Sequence, residues 1–235
     1  MLVVGFPALA FATNCYVVAP AAGEECVVVD PGIGVEARLA EVLAEHRLRP
    51  AAVLLTHGHA DHVYAVTPVC RAHGVAASIH ADDAYRLQDP LASLDPALVA
   101  MLEQQFGAQG TWHEPDDVVQ LTDGGRIEVA GLELAVVHAP GHTEGSVMFA
   151  LPTVPSDAAG DGVTSTVLTG DVLFAGSIGR SDLPGGDPDA MMRSLAQKVL
   201  PLPDDTLVLP GHGPSTTIGR ERRSNPFLLE LARTA

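Results

Sequence analysis

Between Thr56 and His62 the chain reads THGHADH, so three of its ten histidines and an aspartate fall within a few positions of one another. The run PAAVLL precedes them, and three later loops repeat the pattern of an apolar run followed by a polar donor: APGHTEGS with His142, LTGDVLF with Asp171 and LPGHGP with His212. Glycine stands beside the donor in these loops, where it lets the backbone turn sharply and brings a side chain close to a crowded centre. Neutral imidazole and carboxylate are the donors that borderline divalent metals accept, zinc most commonly and iron or manganese with the same set. His57 and His59 are two apart and point the same way in an extended loop. The chain then turns, and Asp61 and His62 face a neighbouring point. His57, His59, Asp61, His62, His142, Asp171 and His212 together suit two metals about 3.5–4 Å apart, sharing one carboxylate and a bridging water.

A single histidine after a strand is ordinarily a polar residue bonded to a carbonyl, and a single aspartate there is a turn former. Several histidines in one loop serve no structural purpose that uncharged polar residues would not serve, so HxHxDH predicts a metal site. The remaining histidines read differently. His46 and His73 sit at helix ends, where partial positive charge complements the dipole. His80 and His113 lack ligand-like company. His138, four residues before His142, reads as a group that supports a ligand or ends a strand.

These loops need rigid elements to aim them. MLVVGF and NCYVVA read as a β-hairpin, CVVVD as a buried strand closed by Pro31-Gly32, and Val35 to His46 as an amphipathic helix. AAVLL is the strand that delivers THGHADH. A helix then ends at Gly74, VAASIH is a strand, and Asp95 to Phe106 is a helix. RIEVAG, LELAVVHA, SVMFALP and STVLTGD follow as strands, with TVPSDAAGDGVTS as an exposed hairpin loop. DPDAMMRSLAQKVL reads as a helix capped by Asp187 with Pro188 at its first position, and TLVLPGHG as the last strand and loop. Two halves, each of strands and then helices, suit an α/β four-layer αββα sandwich, with a doubly wound sheet as the alternative that composition leaves open. One domain over residues 1–235 is expected, closing in a short C-terminal tail from about 214.

The 235 residues carry 47% hydrophobic and 18% charged side chains, an ordinary globular balance. The formal charge of −16, from 29 acids and 13 bases, repels nucleic-acid phosphates and anionic membranes, while a cleft metal or arginine still admits small anionic substrates. Cys15, Cys26 and Cys70 form no CxxC pair and read as buried, reduced thiols. The first twenty residues contain a signal-like ALA triplet. No Lys or Arg follows Met1, however, and Pro7 interrupts the apolar run, so a cytoplasmic location is expected.

In this order, THGHADH, PGHTEGS, TGD and PGHG resemble the metallo-β-lactamase superfamily, over residues 56–213 and through flanking strands over nearly the whole chain. The resemblance implies the αββα fold. It also implies a first metal on His57, His59 and His142, a second on Asp61, His62 and His212, and Asp171 as the bridge. Lactamases of the commonest type have cysteine where Asp171 stands, flavodiiron proteins show HxExDH, and nucleic-acid-processing members carry an inserted domain and basic surfaces. The glyoxalase II-like group is the nearest in pattern. GDVLFAGSIGRSDLPGGD resembles its segment in which a basic residue contacts the thiol carrier's carboxylate; Arg180 matches that position, with an ordinary loop-fixing arginine as the alternative. About twenty residues follow His212, where full-length glyoxalase II enzymes have a helical domain, so a shorter thiol ester or another low-molecular-weight thiol fits as well as glutathione. The implied activity is hydrolysis of S-acyl thioesters, of the S-lactoyl-thiol type, by a metal-bridging hydroxide oriented by Asp61. The alternatives are a mononuclear iron persulfide dioxygenase, a lactonase, and a non-catalytic metal-binding protein.

Overall fold

The structure, a computed structural model, describes residues 1–92, 94–106 and 112–234. Two six-stranded sheets carry the fold. The first runs β1 (Leu2–Pro7), β2 (Asn14–Ala19), β3 (Glu25–Val29), β4 (Arg49–Leu54), β5 (Ala77–His80) and β6 (Val118–Leu121), in that spatial order. Its first three strands are antiparallel, and β3 to β6 are parallel. The second sheet is built from β7 (Arg126–Val129), β8 (Leu132–His138), β9 (Val147–Leu151), β10 (Ser165–Gly170), β13 (Thr206–Pro210) and β14 (Thr216–Thr217). Between β10 and β13 a small hairpin forms from β11 (Leu173–Phe174) and β12 (Ser177–Ile178).

Alternation along the strands explains the layering, because successive side chains point to opposite faces. In β3, Val27 and Val29 enter the core between the two sheets with Tyr16, Leu54, Leu134, Phe149 and Leu168. Cys26 and Val28 enter a second core beneath α1 (Glu36–His46) and α3 (Val66–His73), which supply Leu39, Val42, Val66 and Val69, and the expected helix before β6 is α4 (Pro96–Phe106). On the far side, Met148, Val167 and Val208 meet Met191 of α5 (Pro188–Ser194) and Leu195. Three separate cores require four layers, which is the αββα sandwich and not a doubly wound single sheet.

Local chemistry sets the ends of these elements. α3 stops at Gly74, whose φ of 66° is left-handed. α5 is capped by Asp187, whose side chain accepts from Ala190 N–H at 3.0 Å. The expected single helix over this stretch departs from the α pattern at Leu195–Val199, which is one π turn. After His212, where a short helix and a tail are expected, residues form β14, α6 (Ile218–Ser224) and α7 (Pro226–Thr234), and Ile218 and Leu228 are buried in the third core. Buried Glu221 fixes this segment by accepting from Thr216 Oγ1 (2.6 Å), Gly176 N–H (2.7 Å) and Asn225 Nδ2 (3.0 Å). Among the described residues no helix is long and apolar enough to cross a membrane.

Candidate metal centre

The HxHxDH loop leaves the end of β4 and runs into α2 (Ala60–Val63); His142 lies between β8 and β9, Asp171 follows β10, and His212 follows β13. Both sheets therefore deliver donors to one crease. Three trios place their donor atoms within 4.8 Å of one another: His57, His59 and His142; His57, His62 and Asp171; Asp61, His62 and His212. All seven residues expected from the sequence are brought together. Asp171 stands between the groups, its Oδ1 3.3 Å from His62 Nε2 and its Oδ2 3.5 Å from His142 Nε2 and 3.6 Å from His212 Nε2. Asp61 Oδ2 lies 3.3 Å from His212 Nε2 and accepts from Thr13 Oγ1 at 2.8 Å.

Hydrogen bonds set which ring nitrogens face the crease. His142 Nδ1 donates to the Arg180 carbonyl oxygen at 2.6 Å, which leaves Nε2 as the donor to a cation, 2.8 Å from His59 Nδ1. Thr56 Oγ1 gives its proton to Asp30 Oδ2 (2.7 Å) and accepts from His57 Nδ1 (3.1 Å). His62 Nδ1 donates to the same Asp30 oxygen at 3.0 Å. The buried nitrogens His57 Nε2, His59 Nε2 and His62 Nε2, together with Asp171 Oδ1, have no hydrogen-bond partner. An orphaned buried polar atom costs about 1–3 kcal/mol, and four of them in one crease fit a divalent metal centre.

Electrostatics agree with that donor set. Burial, followed by the neighbouring imidazoles, pulls the His57 pKa far down and that of His59 down to about 3, so both are neutral ligands at neutral pH. Burial works against ionised Asp171, yet His62, His142 and His212 hold its carboxyl below the usual range. Asp61 is held low in the same way by His62, His212 and the Thr13 hydroxyl, against its own desolvation.

Two aspartates that hydrogen-bond to these loops were not singled out in the sequence. Asp30 ends the CVVVD run and takes three bonds, from Thr56 N–H (2.8 Å), Thr56 Oγ1 and His62. Asp83, fully buried in the 3₁₀ turn Ala81–Leu87, accepts from Gly58 N–H (2.8 Å), Thr143 Oγ1 (2.7 Å) and Gly145 N–H (2.9 Å). It thus ties the HxHxDH loop to the His142 loop. Close approach also explains two glycines. A Cβ on Gly141, at φ 139°, would run into the Met191 backbone, and one on Gly211 would strike Asp171 Oδ1.

Arg180 contributes at this centre through its backbone carbonyl. Its exposed guanidinium forms a two-pronged pair with Asp182, Nε to Oδ1 at 2.7 Å and Nη2 to Oδ2 at 2.8 Å. His80 departs from expectation: it lies with Asp82 and His138 in a cluster of its own. Beside α2, a cavity of about 740 Å³ is lined by Leu9, Ile33, Tyr64, Pro68 and Trp112; Tyr64 is one helical turn from Asp61.

A two-sheet sandwich with a histidine–aspartate crease between the strand ends defines a metallo-hydrolase scaffold. The chain belongs to the metallo-β-lactamase superfamily, whose family model matches residues 8–212. It is 33% identical over 223 residues to the hydroxyacylglutathione hydrolase GloC of Haemophilus influenzae, covering 94% of this chain and 95% of GloC. Among solved structures it is similar to the BLEG-1 B3 metallo-beta-lactamase, with a TM-score of 0.76 and 35% identity over 97% of this chain and 99% of that one. It is also similar to TTHA1623 in a di-iron-bound form, with a TM-score of 0.74 and 37% identity over 96% and 100% of the two chains.

Proposed function

We propose that this protein is a metal-dependent hydrolase of S-acyl thioesters, of the S-lactoyl-thiol type, with two divalent ions in the crease. The observation that carries the reading is the position of Asp171, whose carboxylate lies within 3.6 Å of His142 from one trio and of His62 and His212 from the other; the likeness to GloC supports the substrate class. His57, His59 and His142 would hold one ion and Asp61, His62 and His212 the other, with zinc the first choice and iron, as in TTHA1623, or manganese compatible with the same donors. When bound, such ions polarise a carbonyl and supply an ionised water near neutral pH.

The chain's own residues do the rest. Thr13 spends its hydroxyl proton on Asp61 Oδ2 and so fixes that carboxylate's orientation. Asp61, kept ionised, accepts a hydrogen bond from the attacking water and directs its lone pair at the acyl carbon. Asp30 and the Arg180 carbonyl hold the rings of His62 and His142 in one tautomer. The leaving thiolate is stable enough to depart without a dedicated general acid, and the cavity lined by Leu9, Tyr64 and Trp112 offers room for the acyl or carrier portion.

The test is a panel of S-acyl thioesters read by thiol release, run alongside elemental analysis of protein purified without added metal. Turnover of S-lactoyl-thiols with about two metals per chain, lost in Asp171→Ala, is expected. Oxygen consumption with a persulfide and one iron per chain, or turnover of lactams or lactones with inert thioesters, would overturn the reading.

A further inference from the structure

A second cluster of donors lies outside the crease. His80 is the last residue of β5 in the first sheet, and His138 is the last residue of β8 in the second. Asp82 stands between them in the 3₁₀ turn. One donor atom from each lies within 4.8 Å of the others. We propose that His80, Asp82 and His138 form a separate site for one zinc-class divalent ion, which clips the two sheets together beside the His142 loop.

The geometry is close to what a cation needs. Asp82 Oδ2 lies 3.7 Å from His80 Nδ1 and 4.0 Å from His138 Nε2. Tetrahedral ligands at zinc's usual bond lengths are about 3.3 Å apart, so a contraction of roughly half an ångström suffices. The two rings stack at 4.0 Å with 11° between their planes, so each must turn about its last torsion to aim at a shared ion. Asp82 can follow, because its side chain is 57% exposed, and the same exposure gives an ion a way in. His138 Nε2 now donates to the Glu144 carbonyl oxygen at 2.8 Å. Binding exchanges that bond for a metal bond, which links the site to the segment two residues after His142.

Charge favours a cation here. Face-to-face imidazoles resist double protonation, and burial together with His138 keeps His80 below its ordinary pKa, hence neutral at pH 7. Three carboxylates, Asp82, Asp83 and Asp123, act on His80. Two of them are partnered, Asp83 by Arg86 and Asp123 by Lys198 at 3.0 Å; Asp82 has no cationic partner other than these imidazoles among the described residues. A His–His–carboxylate set with remaining positions for water is a common arrangement for zinc. His80 Nδ1 accepts from the Asp82 N–H at 3.3 Å and so caps the turn, a bond that an ion on this nitrogen would replace; stacking and capping alone do not call for the Asp82 carboxylate.

The experiment is equilibrium dialysis of the full chain against buffered micromolar zinc, followed by elemental analysis. Wild type is expected to hold one equivalent more than His138→Phe, which keeps a stacking ring without donors, and one more than Asp82→Asn. Asp171→Ala is expected to lose metal from the crease and keep this equivalent, which disappears when His138→Phe is added. Circular dichroism verifies that each variant folds, and His138→Gln replaces any that does not. Equal zinc content in wild type, His138→Phe and Asp82→Asn would overturn the site. That result would leave the crease reading intact, and loss of metal only from the crease variants would leave this one refuted.

Discussion

His62 decides how the crease behaves before a metal arrives. Burial disfavours its charge, but Asp171, Asp61 and Asp30 together outweigh that cost and raise its pKa well above the ordinary value. Its proton must leave before Nε2 can ligate, so metal affinity rises with pH until this raised pKa is passed. Zinc titrations by calorimetry at pH 7, in buffers of different ionisation enthalpy, should show net proton release; uptake independent of buffer and pH would contradict the assignment. The thiols provide a second prediction at this scale. Burial first, then nearby carboxylates, pushes Cys70 up to about 12, and burial likewise raises Cys26 to about 12. Cys15 is also raised, by burial and then Asp30. The native protein should therefore bind no thiol dye at pH 8 and bind three equivalents after denaturation. Any fast native labelling would place a thiol at the surface. At this scale the sequence was informative about the seven donors, because HxHxDH concentrates four of them and the other three each follow an apolar run beside a glycine, and silent about Asp30 and Asp83. Those two act on backbone N–H groups and rings far along the chain, which spacing does not reveal.

Elements turn these residues into a site. β4, β10 and β13 each end in a loop whose backbone is fixed from outside: Asn14 N–H to Gly211 carbonyl at 2.7 Å, Gly211 N–H to Gly170 carbonyl at 2.8 Å, and Val147 N–H to Thr56 carbonyl at 2.8 Å. Asp83 is the side chain that joins the first loop to the second. Asp83→Ala would strip three accepted bonds and leave Arg86, itself bonded to Glu144 at 2.6 Å, without its buried carboxylate. Breaking a buried charged pair costs about 3–5 kcal/mol, and loss of an outer support to metal ligands lowers metal affinity about 10- to 100-fold. Urea unfolding and zinc dialysis measure the two effects separately, and Asp83→Asn should recover part of each. Unchanged stability and affinity in Asp83→Ala would show that the loops are held by other means. The strands were legible through their β-branched alternation. β6 was not, since its Val118–Leu121 segment is half exposed and flanked by acids. The π turn at Leu195–Val199 and the β11–β12 hairpin were hidden for a related reason: tertiary packing, not local propensity, selects them.

Over the whole molecule, the crease is a seam at the strand ends of two sheets that share one core and each pack a second core against helices. The first sheet contributes His57, His59, Asp61 and His62, and the second contributes His142, Asp171 and His212. Isolated from a metal, the seam gathers imidazoles and carboxylates whose buried atoms lack hydrogen-bond partners, and folding must bear that cost. An ion bound only by the folded state stabilises it by about 4 kcal/mol when present at 1,000 times its dissociation constant. For a chain of 150–250 residues each kcal/mol moves Tm by about 2–4 °C, so removing one ion should lower Tm by roughly 8–16 °C and full chelation of a two-ion centre by more. Asp171→Ala should begin near the chelated value and respond weakly to chelator, because its loss disables both halves of the centre at once. Differential scanning calorimetry of wild type and Asp171→Ala, each with zinc or with a strong chelator, measures this directly. A wild-type Tm indifferent to chelator, in protein shown by elemental analysis to have lost its metal, would mean that the two sheets are held by the Phe149 and Leu168 core alone. The crease would then carry chemistry without carrying structure.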